Sequence, residues 1–177
     1  MDVDQSAAVL MTSVAGARAL GVDPSRWVYL RGAADAHDHW FMSERRDFHS
    51  SPAIRTVGQQ ALDMAGMTIA QMDLFDLYSC FPSAVQIARD MLGIAPDDPR
   101  PLSVTGGLAY QGGPGNNYTT HSIATMMEKL RQQPGTTGLL TGLGWYLTKH
   151  SVGIYSTVPP TTAWQRTDPA TYQATID

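Results

Sequence analysis

Apolar residues in this chain fall into two patterns, short compact runs and stripes at three- and four-residue spacing. Residues 7–12 are small and apolar, while 27–31, 74–78, 138–142 and 152–156 are short runs of aliphatic and aromatic side chains. Each of these predicts a strand. Between them the period lengthens. Ile54, Val57, Ala61, Leu62 and Ala65 recur at helical spacing and predict a helix over 52–65. Ser51 is its cap candidate, Pro52 fits its first turn, and Gly66 is its natural stop. Phe81, Ala84, Val85, Ala88, Met91 and Leu92 predict a helix over 82–92 that Pro82 opens and Gly93 closes. Ile123, Met126, Met127 and Leu130 predict a third over 117–131. A short helix over 14–20, and one turn begun by the capping-box pair Thr68 and Gln71, complete the set.

Strands and helices alternate, which predicts an α/β domain with a mixed sheet covered by helices. The domain is expected over 1–158. After Pro159 and Pro160 periodicity is lost, so 159–177 reads as a polar tail, linker or docked extension. Residues 36–49 read as an irregular loop. A first strand this close to Met1 fits a compact domain, and it also fits a chain that opens in the middle of a fold.

Composition narrows the class. Apolar residues make up 43% and charged residues 16%, and the formal net charge is -4, so nothing marks a nucleic-acid or anionic-membrane surface. No apolar run approaches the roughly 18 residues of a membrane-spanning helix. Cys80 is the single cysteine, which excludes an internal disulfide. With no signal peptide at the start, a cytoplasmic location is the expectation.

The densest local signal lies between Ser103 and Tyr118. Gly106, Gly107, Gly112, Gly113, Pro114 and Gly115 all fall there, directly before the third helix. Such a loop lets backbone approach a ligand closely. It is neither a P-loop, since no lysine follows Gly115, nor a Gly-x-Gly-x-x-Gly fingerprint. A Gly-x-Ser-x-Gly hydrolase motif is also missing.

Three ordered segments resemble the C-terminal half of the thiolase superfamily, in its sterol-carrier-type branch. Met72 to Phe81, ending Tyr78-Ser79-Cys80-Phe81, resembles the acidic-aliphatic strand that ends in His-Asp-Cys-Phe or Asn-Glu-Ala-Phe. Gly106-Gly107 with Gly112-Gly113-Pro114-Gly115 resembles the Gly-Gly…Gly-His-Pro loop, and Thr141-Gly142-Leu143-Gly144 resembles the Cys-x-Gly loop. Gln5 to Leu10 resembles the strand that closes the preceding thiolase half, so the first 25 residues or so are expected to complete that half. The resemblance implies an acyltransferase module of the acetyl-CoA acetyltransferase kind, acting on or binding acyl-CoA thioesters in lipid metabolism. It implies no cofactor beyond coenzyme A as substrate or ligand, and no metal. The partners it implies are an acyl-CoA, a missing N-terminal half or partner subunit, and further copies of the chain in a homo-oligomer.

The departures concern reactive side chains. By this resemblance the loop histidine is Gly113, the acid/base cysteine is Gly142, the motif asparagine or histidine is Tyr78, and Cys80 takes a packing position. Gly144 keeps the place of an oxyanion-hole N–H donor. Tyr78 is a candidate hydrogen-bond donor to a thioester carbonyl, or a tyrosine packed under the loop. His150 is a candidate acid/base, or with Lys149 a surface-loop pair. Gly106, Gly107, Gly112, Asn116 and Asn117 are candidate substrate-binding positions, and the asparagines are also helix-cap candidates. His121 reads as a helix-face residue. His37 and His39 with Asp35 and Asp38 have ligand character but lack a second cluster. Arg45, Arg46 and His49 read as a solvated loop that could meet phosphates. The alternatives are a degenerate, non-catalytic fold that binds a CoA thioester or a partner, and a thiolase-like aldolase subunit that uses tyrosine.

Overall fold

A computed structural model describes residues 3–176; Met1 and Asp2, at the start of the expected 1–158 domain, and Asp177, at the end of the tail, lie outside the described residues. In chain order the elements are α1 (Val14–Ala19), β1 (Tyr29–His37), α2 (Pro52–Ala65), β2 (Leu74–Asp76), α3 (Pro82–Met91), α4 (Leu108–Gln111), α5 (Tyr118–Gln132), β3 (Thr137–Gly144), β4 (Lys149–Ser156) and α6 (Pro169–Gln173). The strands form one sheet in the order β1-β4-β3-β2. Strand β2 runs parallel to β3, while β1/β4 and β3/β4 are antiparallel. This is the expected α/β class with a mixed sheet. Among the described residues no helix is long and apolar enough to cross a membrane.

Alternation along the strands sends neighbours to opposite faces. Leu139, Val152 and Ile154 join Ile54, Val57 and Ala61 of α2 and Ala84 and Ala88 of α3 in the larger core. Leu140 and Tyr155 meet Met126 and Leu130 of α5 in a smaller one. The sheet is therefore sandwiched between α2/α3 and α5. Helix α2 forms where its sequence signals put it. The Ser51 hydroxyl accepts from Ile54 N at 3.1 Å, and Gly66 closes the helix at φ 64°.

Gly32 makes the α2–β1 contact possible. A Cβ there would sit 2.1 Å from the Ala61 carbonyl oxygen. Beside it, the β1–β4 register shifts between Leu30 and Gly32.

Two expectations are corrected. Residues 3–13 form neither helix nor strand, and Leu10 and Met11 are 76% and 75% exposed. An apolar run becomes a strand only beside another strand that takes its backbone hydrogen bonds, and this one has no such neighbour among the described residues. Strand β1 runs on to His37, into the stretch read as a loop, because it pairs with β4 as far as His37↔Lys149.

The tail docks on the sheet. Tyr172 is buried and its hydroxyl donates to Asp35 O at 3.0 Å. The Gln173 amide donates to His37 O at 2.9 Å and accepts from His37 N at 3.0 Å. Helix α6 thus takes the place of a strand along the free edge of β1.

Gly32→Ala is expected to lower stability by about 1–3 kcal/mol, because backbone, not a flexible side chain, must move. Urea unfolding at unchanged m-value measures it. An unchanged midpoint would mean that α2 is not seated on β1 as described.

Candidate functional site

The glycine-rich segment is built from the end of β2. Asp76 is fully buried. Its Oδ1 accepts from Ser103 Oγ (2.8 Å), Val104 N (3.0 Å), Thr105 N (3.1 Å) and Thr105 Oγ1 (2.9 Å), and its Oδ2 from Ser122 Oγ (2.5 Å). The loop and the first turns of α5 are thus tied to one carboxylate. Ser79 Oγ then accepts from Leu108 N at 2.9 Å. Gly107, at φ 83°, lies so close that a Cβ would come within 2.6 Å of that oxygen. Glycine is required there by both conformation and space. Gly106 also takes a positive φ, of 83°.

Further along, Gly112 faces Val3, and Gln5 donates to Gln111 O at 3.0 Å, so the N-terminal segment lies along the loop. Asn116 is exposed and Asn117 half-buried. Asn117 takes the N-cap position of α5 at the end of a 3₁₀ turn, Gly115–Asn117, but its side chain makes no capping hydrogen bond.

Tyr78 follows β2. Its backbone N–H donates to Thr141 Oγ1 at 2.8 Å, and its ring packs edge-on against Tyr118 at 5.1 Å. The Tyr78 hydroxyl makes no hydrogen bond among the described residues. Burial, and after it the proximity of Cys80 and Tyr118, raises the phenol above its ordinary range and keeps it protonated. Tyr78, Thr141, Gly142, Leu143, His150 and Ser151 are among the lining of a cavity of about 10 Å³, space for about one water.

Gly113 and Gly144 are not in that lining. Gly144 lies opposite Lys149, whose Cε would be 2.5 Å from a Cβ at 144. Between β3 and β4, Trp145 (φ 57°) and Leu147 (φ 47°) hold left-handed backbone that turns the hairpin. Gly142 is closed off differently. A side chain at 142 would begin 2.6 Å from Ser151 Oγ and 3.3 Å from Thr119 Oγ1.

His150 does not lie in a surface loop. It is the second residue of β4 and is buried, while Lys149 and Ser151 on either side are exposed. His150 Nε2 lies 3.4 Å from both Asp38 Oδ2 and Ser51 Oγ. Ser51 Oγ donates to Asp38 Oδ2 at 2.5 Å, and Ala53 N donates to Asp38 Oδ1 at 3.1 Å. Burial pushes the Asp38 carboxyl up, but hydrogen bonds from His150, Ser51 and Ala53 N, with the charge of His150, outweigh it and leave the group below its usual range. The residue types are those of a hydrolase triad. The arrangement is not, since one imidazole nitrogen faces both partners and all three groups are buried. It is a clamp between β4 and the start of α2. Sequence reasoning missed it because Asp38 lay in a segment read as loop.

Other candidates resolve similarly. Arg45 turns inward, donating to His39 O (3.0 Å), Tyr146 O (2.9 Å) and Thr148 Oγ1 (2.7 Å), so it is not a free phosphate ligand. His49 stays exposed beside Asp47. Cys80 packs against the larger core, and burial raises its thiol pKa against weaker opposition from the N–H groups of Phe81 and Cys80. His121 is buried on α5 with its Nε2 unpartnered. Among the described residues no three His, Cys, Asp or Glu side chains gather as a metal site.

A family model described as "Thiolase C-terminal domain-like" matches residues 34–113. The chain is 33% identical over 153 residues to the 3-ketoacyl-CoA thiolases of Yersinia pestis (strain Pestoides F) and Yersinia pseudotuberculosis serotype O:1b (strain IP 31758), with 78% of this chain and 33% of each relative covered. Among solved structures it is similar to a monomeric SCP2-thiolase like protein type 1 from Mycobacterium smegmatis. That match has 45% identity and a TM-score of 0.86, and covers 93% of this chain and 36% of that one. The chain thus spans about a third of the length of the curated relatives it matches.

Asp38→Asn is expected to destabilise the fold at neutral pH by about 1.5–3 kcal/mol, the scale of hydrogen bonds to a charged group. A carboxyl with a depressed folded pKa contributes stability above the unfolded value, near 4, and loses it as pH falls through the folded one. The gap between parent and variant should therefore narrow as the pH drops below about 4, in urea titrations across pH. A gap constant with pH would separate Asp38 from the acid limb.

Proposed function

This chain belongs to the thiolase superfamily, and we propose that it is the C-terminal half of a thiolase-type acyltransferase site, a module that holds an acyl-CoA thioester but lacks the reacting side chains. The observation that carries this reading is position 142. There the acid/base thiol of the resemblance is replaced by glycine, and the nearest groups to a Cβ would be the Ser151 and Thr119 hydroxyls, at 2.6 and 3.3 Å.

Condensing or cleaving a carbon–carbon bond beside a thioester needs a thiolate to take the acyl group and a base to move the α-proton. Cys80, with its thiol pKa raised by burial, is a poor thiolate. His150 is held by Asp38 and Ser51 on the buried side of β4. What the chain offers is hydrogen-bond donors. The Tyr78 phenol is protonated, and the Gly144 N–H sits at the end of β3. Gly106, Gly107, Gly112 and Gly113, with Asn116 and Asn117, form the loop against which the thioester arm would lie. An N-terminal half or partner subunit would bring the nucleophile. A cytoplasmic role in lipid metabolism goes with this reading.

One observation favours a second reading, an aldolase-type subunit. The free, protonated Tyr78 hydroxyl is suited to polarising a carbonyl without a thiol.

The chain on its own is expected to bind acetoacetyl-CoA saturably in calorimetry, and Tyr78→Phe to weaken binding roughly 3–10-fold, the worth of one neutral hydrogen bond. Thiolysis of acetoacetyl-CoA with free coenzyme A should give no turnover in the parent or in Cys80→Ser. Turnover that disappears in Cys80→Ser would make Cys80 the nucleophile and overturn the reading. Absence of any CoA-thioester binding would overturn it from the other side.

A further inference from the structure

A second, larger cavity of about 370 Å³ lies where β1, the start of β4 and α6 meet, and its size falls in the range of small-ligand pockets. Ala36, Trp40, Pro169 and Ala170 give it an apolar side, and Asp35, His37, Lys149 and His150 a polar one. It shares only His150 with the cavity beneath Tyr78.

From its lining we propose that this cleft binds a small anion carrying a planar aromatic ring. The ring side rests on Trp40. Its indole contacts His37, at 5.4 Å and tilted, and Trp145, at 5.5 Å and edge-on, yet 46% of the residue stays exposed. A fixed, half-open indole is a stacking platform with little entropy left to lose. The charge side rests on Lys149. Its ammonium lies 5.6 Å from the Trp145 ring and forms no ion pair among the described residues. The one acid in the lining, Asp35, is paired with Arg166, which offsets its repulsion of an anion. His37 Nδ1 lies 3.3 Å from Asp38 O. His37 is the second polar side chain of the lining.

The walls are fixed. Gln173 bonds both backbone groups of His37, Tyr172 bonds Asp35 O, and the Asp38 clamp immobilises the His150 floor. The cleft therefore exists only with α6 docked. The site does not rest on the acyl-CoA reading, because none of the glycine-loop residues lines it.

The ring-plus-anion chemistry has two sources, an aromatic carboxylate or an aromatic nucleotide phosphate. Calorimetry on the full chain with benzoate and with AMP distinguishes them, and cyclohexanecarboxylate and benzamide serve as ring-free and charge-free controls. Saturable binding of benzoate, AMP or both is expected, at least about tenfold tighter than either control, and weakening with added salt. Trp40→Ala and Lys149→Gln should each weaken it about five- to tenfold, and Trp40→Phe should restore most of the loss. Matched far-UV circular dichroism establishes that each variant is folded. No saturable binding of benzoate or AMP overturns the proposal. So does equal binding of the controls, or binding that neither Trp40→Ala nor Lys149→Gln changes.

Discussion

The buried carboxylate of Asp76 is the constraint on which the rest of the functional face depends. A charge taken out of water is tolerable only when hydrogen bonds replace its hydration. Here five donors converge on it, from Ser103, Val104, Thr105 and Ser122. Those donors come from the loop and from α5, while the acceptor belongs to β2. Satisfying one charge therefore fixes the relative position of a strand end, a loop and a helix. The Thr105 hydroxyl passes the constraint on to the Tyr118 hydroxyl at 2.7 Å. Tyr118 in turn packs against Tyr78. The candidate donor Tyr78 is thus oriented by groups that trace back to Asp76.

Asp38 works the same way on the other side of the sheet's functional end. It joins the end of β1, the cap of α2 and the start of β4 through Ser51, Ala53 and His150. In both clamps short hydroxyl donors face an acid placed just after or at the end of a strand. Rigidity at this end comes from polar groups, while the helices are held by apolar packing. The hairpin between β3 and β4 emerges between the two clamps, and its left-handed turn leaves Trp145 exposed while Leu147 is buried.

How much of this was legible follows from the range of the interactions. Helix α2 was legible to the residue because its signals are local: a hydroxyl cap, a proline at the first position and a glycine stop. The glycine loop could be located, since φ values such as that of Gly107 leave a compositional trace. Its binding to Asp76 could not, because the partners lie 27 to 46 residues apart. His150 was hidden by polarity. Lys149, His150 and Ser151 alternate exposed, buried, exposed, which is the period of a strand, but three polar residues in a row look like a loop. Helix α6 was hidden by its brevity. One tyrosine and one glutamine dock it in an otherwise polar tail. The run at 7–12 misled in the opposite sense, since its apolar character says nothing about whether a neighbouring strand is there to pair with it.

The proposed absence of reactive groups on a thiolase-like scaffold bears on what such a module can do. Loss of a catalytic side chain leaves a hole when the surroundings stay as they were, and a hole can be refilled by water or by a cofactor. Around Gly142 the free space is a cavity of about 10 Å³, room for about one water, and Ser151 Oγ and Thr119 Oγ1 border the place where a side chain would go. A cysteine there would need the Ser151 side chain to turn away and Thr119 to give by a few tenths of an ångström. Hydroxyls there can donate and accept hydrogen bonds but, with ordinary acidities, cannot exchange a proton as a thiol does near neutral pH. On the proposed reading this makes the surface one for recognition and polarisation of a thioester. Any bond making must then be driven by groups brought from outside these 177 residues.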